Sequence, residues 1–232
     1  MDRTSDLDVH AQAPWSRVAL AAIALLAYAS LFWPTSLIRS WVEAHAGALL
    51  QTEVWPLVAH ALLYSTCGAT VSAGAWVGLA RSGWMVRPGA MLGWPDGRGG
   101  IAALGVGLAL AGVTLGLYLL LGWLEIPGGG PLRPHAISLW SVLGNLFSNF
   151  YEELIYRGFL ISVLSALGAR GAWAVAISAL VFGFSHYQYP IALQLLVCMS
   201  GLGLGALALR TRSVWAAWIA HCVVDYVLDP LL

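Results

Sequence analysis

The length of its uncharged stretches is the feature that most constrains this chain. Residues 171–209 run for 39 positions without an Asp, Glu, Lys or Arg side chain, and only 9% of all residues are charged. Soluble domains carry about 25% charged residues, because they need a polar surface. The chain is therefore expected to lie in a membrane, which excludes soluble enzymes, nucleic-acid binders and disordered chains.

Three long apolar runs occupy the first half of the chain. They cover residues 18–38, 54–80 and 99–124, and none of them contains a charged side chain. Each reaches the roughly 20 residues that a helix needs to cross the bilayer core. A transmembrane barrel would instead show short segments of alternating polarity. These runs predict three leading transmembrane helices.

The second half of the chain predicts four more helices. Residues 134–169 form an apolar segment that contains three charged side chains. The run 171–209 has about twice the length of one span, and we expect it to divide near Tyr187–Pro190, because the residue before a proline is biased out of helical conformation. A last segment extends from about 213 to 230. The predicted fold is all-α, a polytopic membrane protein with about seven transmembrane helices.

Four regions follow from this pattern. Residues 1–17 form a polar tail, and residues 18–126 contain the three leading helices. Residues 127–136 are a Gly/Pro linker, and residues 137–230 form a four-helix core. The core contains all of the intramembrane charge, so we expect it to carry the catalytic function.

The arginines predict the orientation of the chain, because cytoplasmic loops of membrane proteins carry an excess of basic residues. With the N-terminus inside, the cytoplasmic segments contain eight arginines: Arg3, Arg17, Arg81, Arg87, Arg98, Arg170, Arg210 and Arg212. The opposite side contains Arg39 and Arg133. We therefore expect the N-terminus inside and the C-terminus outside, in a bacterial cytoplasmic membrane.

Charged side chains inside the predicted spans are the candidates for function. Each costs roughly 2.5–3.5 kcal/mol at a helix centre on insertion scales, so such residues mark a functional site by default. The C-terminal spans contain four of them, with two histidines nearby: Glu152, Glu153, Arg157, Asp225, His186 and His221.

The spacing of Glu152, Glu153 and Arg157 indicates different roles for the two glutamates. Glu153 and Arg157 are four positions apart on one helix face, which predicts an ion pair that offsets part of the insertion cost. Glu152 projects about 100° away from Glu153, so it is free to face a cavity.

The other polar residues repeat this spacing on two further helices. His221 and Asp225 are four positions apart, as are Phe182 and His186. Three helices therefore each present one polar face, and a carboxylate with two imidazoles can converge on one water. A carboxylate suits a general base, whereas a neutral imidazole orients that water or, with a carboxylate, holds a metal.

Three motifs together carry a family resemblance. The sequence reads EExxxR over residues 152–157, FxxxH over 182–186 and HxxxD over 221–225. In this order on successive apolar helices, the motifs resemble the CPBP family of intramembrane proteases, which contains the CAAX prenyl endopeptidases and bacteriocin-processing or immunity proteins. The resemblance covers residues from about 137 to 230, and the first three helices match nothing specific.

The resemblance implies a role for each residue of the first two motifs. Glu152 is implied as the base that activates the hydrolytic water, with His186 assisting it. Arg157 is implied as the structural partner of Glu153.

The third motif leaves the mechanism open. His221 and Asp225 are implied to stabilise the oxyanion or to position the substrate carbonyl. The family takes Asn or Asp at the last position, and an ionised Asp225 cannot donate a hydrogen bond to an oxyanion. A zinc ion is the alternative, because its ligands can be drawn from carboxylates and imidazoles, here Glu152, His186, His221 and Asp225.

The implied activity is an intramembrane endopeptidase of CPBP type, glutamate-type or metal-dependent, that processes the tail or anchor of a membrane-anchored protein or peptide. The expected catalytic set is Glu152, Glu153, His186, His221 and Asp225. The partners are then a membrane-embedded substrate and the lipid bilayer, without nucleic acid. The predicted orientation favours a site open to the outer face. The alternatives are an ion- or proton-coupled transporter and a catalytically idle immunity or scaffold member of the family.

Overall fold

The computed structural model describes residues 91–169 and 171–231. It also describes eight residues nearer the N-terminus: Ser40, Ala44, His45, Ala48, Ala73, Gly74, Trp76 and Val77. The predicted helices at 18–38 and 54–80 lie almost entirely outside the described residues, so the count of about seven spans stays a prediction.

Every regular element of the described part is helical, which confirms the all-α prediction for this part. Six α-helices follow in chain order: α1 Gly97–Trp123, α2 Leu139–Glu153, α3 Ile161–Ala166, α4 Gly171–Ser185, α5 Ile191–Thr211 and α6 Val214–Leu228. A π-helical segment, Leu154–Leu160, joins α2 to α3. The long apolar run divides between Ser185 and Ile191, as its proline predicts.

Helices α1 and α5 are the two in the described part that are long and apolar enough to cross a membrane. Helix α1 has 27 residues, which corresponds to about 40 Å at 1.5 Å per residue. Many of its apolar side chains are exposed, such as Ile101 at 74% and Leu108 at 59%. Exposed apolar surface of this extent is typical of a membrane contact. Helices α4 and α6 are also apolar but shorter.

Small residues bring α1 and α6 into close contact. The buried positions include Gly99, Ala103, Gly107 and Ala111 on α1, and Ala216, Ala217 and Ala220 on α6. A Cβ atom on Gly107 would lie 2.7 Å from the carbonyl oxygen of Ala220. Small residues of this kind let the backbones of membrane helices approach closely. The contact holds α6 against α1 beside His221.

The antiparallel pair α4 and α5 is packed in the same way. A Cβ atom on Gly183 would lie 2.7 Å from the carbonyl oxygen of Gln194, and one on Gly201 would lie 3.1 Å from Cα of Ala179. These glycines allow the close approach that places the end of α4 beside the start of α5.

The π-helical segment directly follows the paired glutamates. Ser178 of α4 donates a hydrogen bond of 2.7 Å to the carbonyl oxygen of Tyr156, and Ser162 donates one to that of Gly158. Within a membrane, such side-chain donors satisfy backbone groups that irregular helical turns leave free. Segments of π-helix are frequent at functional sites, because they rotate the following residues relative to a regular helix.

Residues 124–138 connect α1 to α2 at the end of the bundle where α6 also finishes. The backbone N–H of Arg133 donates to the carbonyl oxygen of Leu231, and that of His135 donates to Pro230. The connection contains three consecutive glycines, Gly128–Gly130, and the last two lie close to Tyr118 of α1. This end of the bundle contains the candidate site.

Candidate active site

A cavity of about 610 Å³ lies between five helices at this end of the bundle. Its volume is within the usual range of small-molecule and substrate pockets. The lining includes three carboxylates and two imidazoles: Glu152, Asp225, Asp229, His186 and His221. Among the described lining residues no side chain is a lysine or an arginine.

Glu153 and Arg157 form the predicted ion pair behind the cavity wall. Nη1 of Arg157 donates to Oε1 of Glu153 at 2.8 Å, and the two residues are 1% and 0% exposed. The guanidinium carbon also lies 4.2 Å from the ring centroid of Phe182. A buried pair of this kind needs both partners, because removing one leaves an uncompensated buried charge.

The same oxygen of Glu153 holds His221, a contact that the sequence motifs did not predict. Nδ1 of His221 donates to Oε1 of Glu153 at 2.8 Å. A hydrogen bond from one ring nitrogen to a carboxylate fixes the orientation of the ring and leaves the other nitrogen for chemistry. Glu153 therefore connects the buried Arg157 to the imidazole at the edge of the cavity.

Nε2 of His221 faces two carboxylates on the cavity side. It lies 4.0 Å from Oε2 of Glu152 and 3.8 Å from Oδ1 of Asp225. These distances are too long for direct hydrogen bonds and suit groups that share a bridging water or substrate atom. The side chain of Glu152 is 23% exposed, whereas that of Glu153 is fully buried, as the predicted 100° rotation requires.

His186 follows the last residue of α4 and is clamped at the cavity rim. Its Nδ1 lies 2.8 Å from the carbonyl oxygen of Phe182. A carbonyl oxygen only accepts, so Nδ1 carries the proton, and Nε2 is the acceptor nitrogen of the neutral ring. The ring stacks on Tyr189 with centroids 5.6 Å apart and meets Phe182 edge-on.

Phe182 occupies the centre of this arrangement. Its ring lies 5.0 Å from His186 and 5.8 Å from His221, both edge-on, and beneath it lies Arg157. The first position of the FxxxH motif therefore packs against both imidazoles of the site.

Two asparagines of α2 complete the site, and the sequence motifs did not single them out. Nδ2 of Asn149 donates to Oδ2 of Asp225 at 2.7 Å, and Nδ2 of Asn145 donates to Oδ2 of Asp229 at 2.5 Å. The signal for them is their spacing, because Asn145, Asn149 and Glu153 are four positions apart and share one face of α2.

The structure thus brings all six sequence-predicted residues together, four at the cavity and two behind its wall. Among the described residues, no group of three or more His, Cys, Asp or Glu side chains is arranged to hold a metal ion. The donors present do not fit the predicted zinc site in this arrangement, so no step is derived through a metal. The zinc alternative stays a prediction for a direct test.

Comparison with protein-family models places the second half of the chain beside a known family. Residues 134–227 match the family model described as Rce1-like, type II CAAX prenyl endopeptidase Rce1-like. This match confirms the resemblance that the three motifs indicate, and the matched region contains all six predicted site residues. The matched region of the chain is thus similar to a family of membrane proteases. No curated protein and no solved structure matches the chain.

Proposed function

We propose that this chain is an intramembrane endopeptidase that hydrolyses a peptide bond of a membrane-anchored protein or peptide. The observation that carries the proposal is the setting of Glu152. Its carboxylate faces the cavity 4.0 Å from Nε2 of His221, and the other nitrogen of that ring is held by Glu153. A base beside a histidine that a third group orients is the arrangement that general-base hydrolysis needs.

The first step is attack by water. A water molecule between Glu152 and His186 gives a proton to the Glu152 carboxylate while its oxygen bonds to the peptide carbonyl carbon. Nε2 of His186 accepts a hydrogen bond from the second O–H of the water and so orients it, and this hydrogen stays on the oxygen. The electron pair of the carbonyl double bond moves onto the carbonyl oxygen, which becomes the oxyanion.

The second step is collapse of the tetrahedral intermediate. With both ring nitrogens protonated, His221 donates from Nδ1 to Glu153 and from Nε2 to the oxyanion. The proton held by Glu152 then passes to the amide nitrogen as the C–N bond breaks. The products are a new carboxyl end and a new amino end, and Glu152 is again a carboxylate.

The position of the cavity supports a substrate that enters from one membrane face. Helix α2 contributes Asn145, Ser148, Asn149 and Glu152, from its middle and its C-terminal half. The other lining residues come mostly from the C-terminal parts of α1, α4 and α6 and the N-terminal part of α5, at the end of the bundle where α6 finishes. With the N-terminus inside, this end of the bundle is the outer one. We therefore propose the tails or anchors of exported membrane proteins as the substrate class.

The test compares the termini of membrane proteins in cells that express the wild type or Glu152→Gln. In cells that express the wild type, we expect new termini of membrane proteins that are missing in cells that express Glu152→Gln. The matched control is Glu125→Gln, which removes the same charge from an exposed loop residue outside the cavity and is expected to keep the termini. Identical termini with the wild type and Glu152→Gln would overturn the proposal, and the transporter alternative would then be tested by solute uptake.

A further inference from the structure

We infer that Asn149 is a positioning residue of the site: its amide holds one oxygen of Asp225, so that the other oxygen faces His221. This inference rests on the proposed function and adds a residue from α2 outside the three motifs. It also explains how an aspartate functions at the last position of the third motif.

The hydrogen bond between Asn149 and Asp225 is short, and its donor is buried. Nδ2 of Asn149 lies 2.7 Å from Oδ2 of Asp225, and Asn149 is 3% exposed. The other carboxylate oxygen, Oδ1, lies 3.8 Å from Nε2 of His221. The amide therefore occupies one oxygen of the carboxylate and leaves the other to the catalytic imidazole.

The charges around His221 show why an amide is needed at this place. Three carboxylates surround the imidazole: Glu153 at Nδ1, and Glu152 and Asp225 at Nε2. Arg157 balances Glu153 through its own hydrogen bond. Asp225 accepts a hydrogen bond from the amide of Asn149, which stabilises the carboxylate without adding charge.

The rotation of Asp225 depends on this donor. A terminal carboxylate turns about a broad, roughly two-fold torsion, so its orientation is set by its hydrogen-bond partners. Without the amide, Oδ1 of Asp225 is no longer fixed beside Nε2 of His221, and the carboxylate loses its alignment with that nitrogen and with a water or substrate atom between them. A misplacement of about 1 Å in such a group costs about 100-fold in rate.

The test exchanges the two side chains. Asn149→Asp places two carboxylates against each other, and we expect about a 100-fold loss of kcat with a smaller change of KM. The double variant Asn149→Asp/Asp225→Asn restores an amide–carboxylate hydrogen bond in the reverse direction. We expect it to recover kcat to within about tenfold of Asp225→Asn alone.

Two further variants separate positioning from general damage. Asn149→Ala removes the amide without adding charge, and we expect a kcat between those of the wild type and Asn149→Asp. Asn145→Asp makes the same change one turn away, at the Asp229 pair, and we expect a loss at least tenfold smaller than with Asn149→Asp. Equal losses at the two asparagines would overturn the inference, as would a folded Asn149→Ala or Asn149→Asp with wild-type kcat.

A readout that does not need turnover keeps this inference apart from the proposed function. The ring-nitrogen NMR signals of His221, assigned with a His221→Ala variant and ¹⁵N-labelled histidine, are expected to shift in Asn149→Asp and to return towards the wild-type positions in the double variant. If the wild type cleaves no membrane protein, the proposed function fails, and these signals still decide about Asn149. Signals that stay unchanged in Asn149→Asp would overturn the positioning role.

Discussion

Glu152 and Glu153 are neighbours in the sequence and lie in opposite surroundings. On the buried side of the site, Glu153 is fully enclosed and accepts hydrogen bonds of 2.8 Å from both Arg157 and His221. On the cavity side, Glu152 is partly exposed and lies 4.0 Å from its nearest imidazole nitrogen, that of His221. One carboxylate therefore holds the site in place, whereas the other is left available to react.

Removing the cavity-side carboxylate is expected to give the largest change. Glu152→Gln keeps the shape of the side chain and abolishes its basicity, so we expect a 10²–10⁴-fold loss of kcat, the usual contribution of a general base. Because Glu152 makes no short hydrogen bond to a described side chain, the free energy of unfolding should change by less than about 1 kcal/mol. Peptide cleavage and thermal unfolding in detergent measure the two effects. A destabilisation as large as that of a buried-pair variant would contradict the division between the two sides.

Breaking the buried side is expected to act first on stability. Arg157→Leu leaves Glu153 charged in the protein interior without its guanidinium partner, which costs about 3–5 kcal/mol. The control is Arg157→Leu/Glu153→Leu, which removes both charges and should be more stable than the single variant. Chemical unfolding in detergent gives both values. A single variant as stable as the wild type would show that the pair does not hold this wall together.

The sequence predicts contacts within one helix well, because helical periodicity determines them. The Glu153–Arg157 pair and the different direction of Glu152 follow from spacings of four and one residues, and the structure has the pair at 2.8 Å with Glu152 partly exposed. The described helices at the predicted apolar runs follow in the same way from length and hydrophobicity.

Contacts between helices could not be predicted, because the sequence does not determine how each helix is rotated against its neighbours. His221 and Glu153 are 68 residues apart, and Asn149 and Asp225 are 76 residues apart. The two-nitrogen role of His221 and the amide beside Asp225 therefore appear only when α2 and α6 are packed together. The π-helical segment after Glu153 was not predicted either, since its residues have ordinary helical preferences.

A larger side chain in the contact between α1 and α6 tests whether the site depends on how closely α6, which carries His221, packs against α1. A Cβ atom on Gly107 would meet the backbone of Ala220, the residue before His221, so Gly107→Leu should push α6 away from α1. Overpacking of this kind costs about 1–3 kcal/mol. The matched control is Gly112→Leu, because nothing lies within 4 Å of a Cβ atom at Gly112.

The two leucine variants are compared by thermal unfolding and by cleavage rate. Gly107→Leu should lower both, whereas Gly112→Leu should lower neither. If both variants behave alike, the small-residue contact does not position His221.

Removal of metal ions is expected to have the smallest effect on the cleavage rate. It tests whether a metal ion between the cavity-side residues takes part in the reaction. The described donors form no group of three that could hold a metal ion, so the proposed water activation depends on Glu152 and His186 alone. Dialysis against a chelator should leave the cleavage rate within about twofold of its starting value, since no structural or catalytic ion of the usual affinity would be lost. Loss of activity that zinc restores would instead assign Glu152, His186, His221 and Asp225 to a metal. In that case the gap of 4.0 Å between Glu152 and His221 would have to close around the ion, because zinc lies about 2.0–2.2 Å from its nitrogen and oxygen ligands.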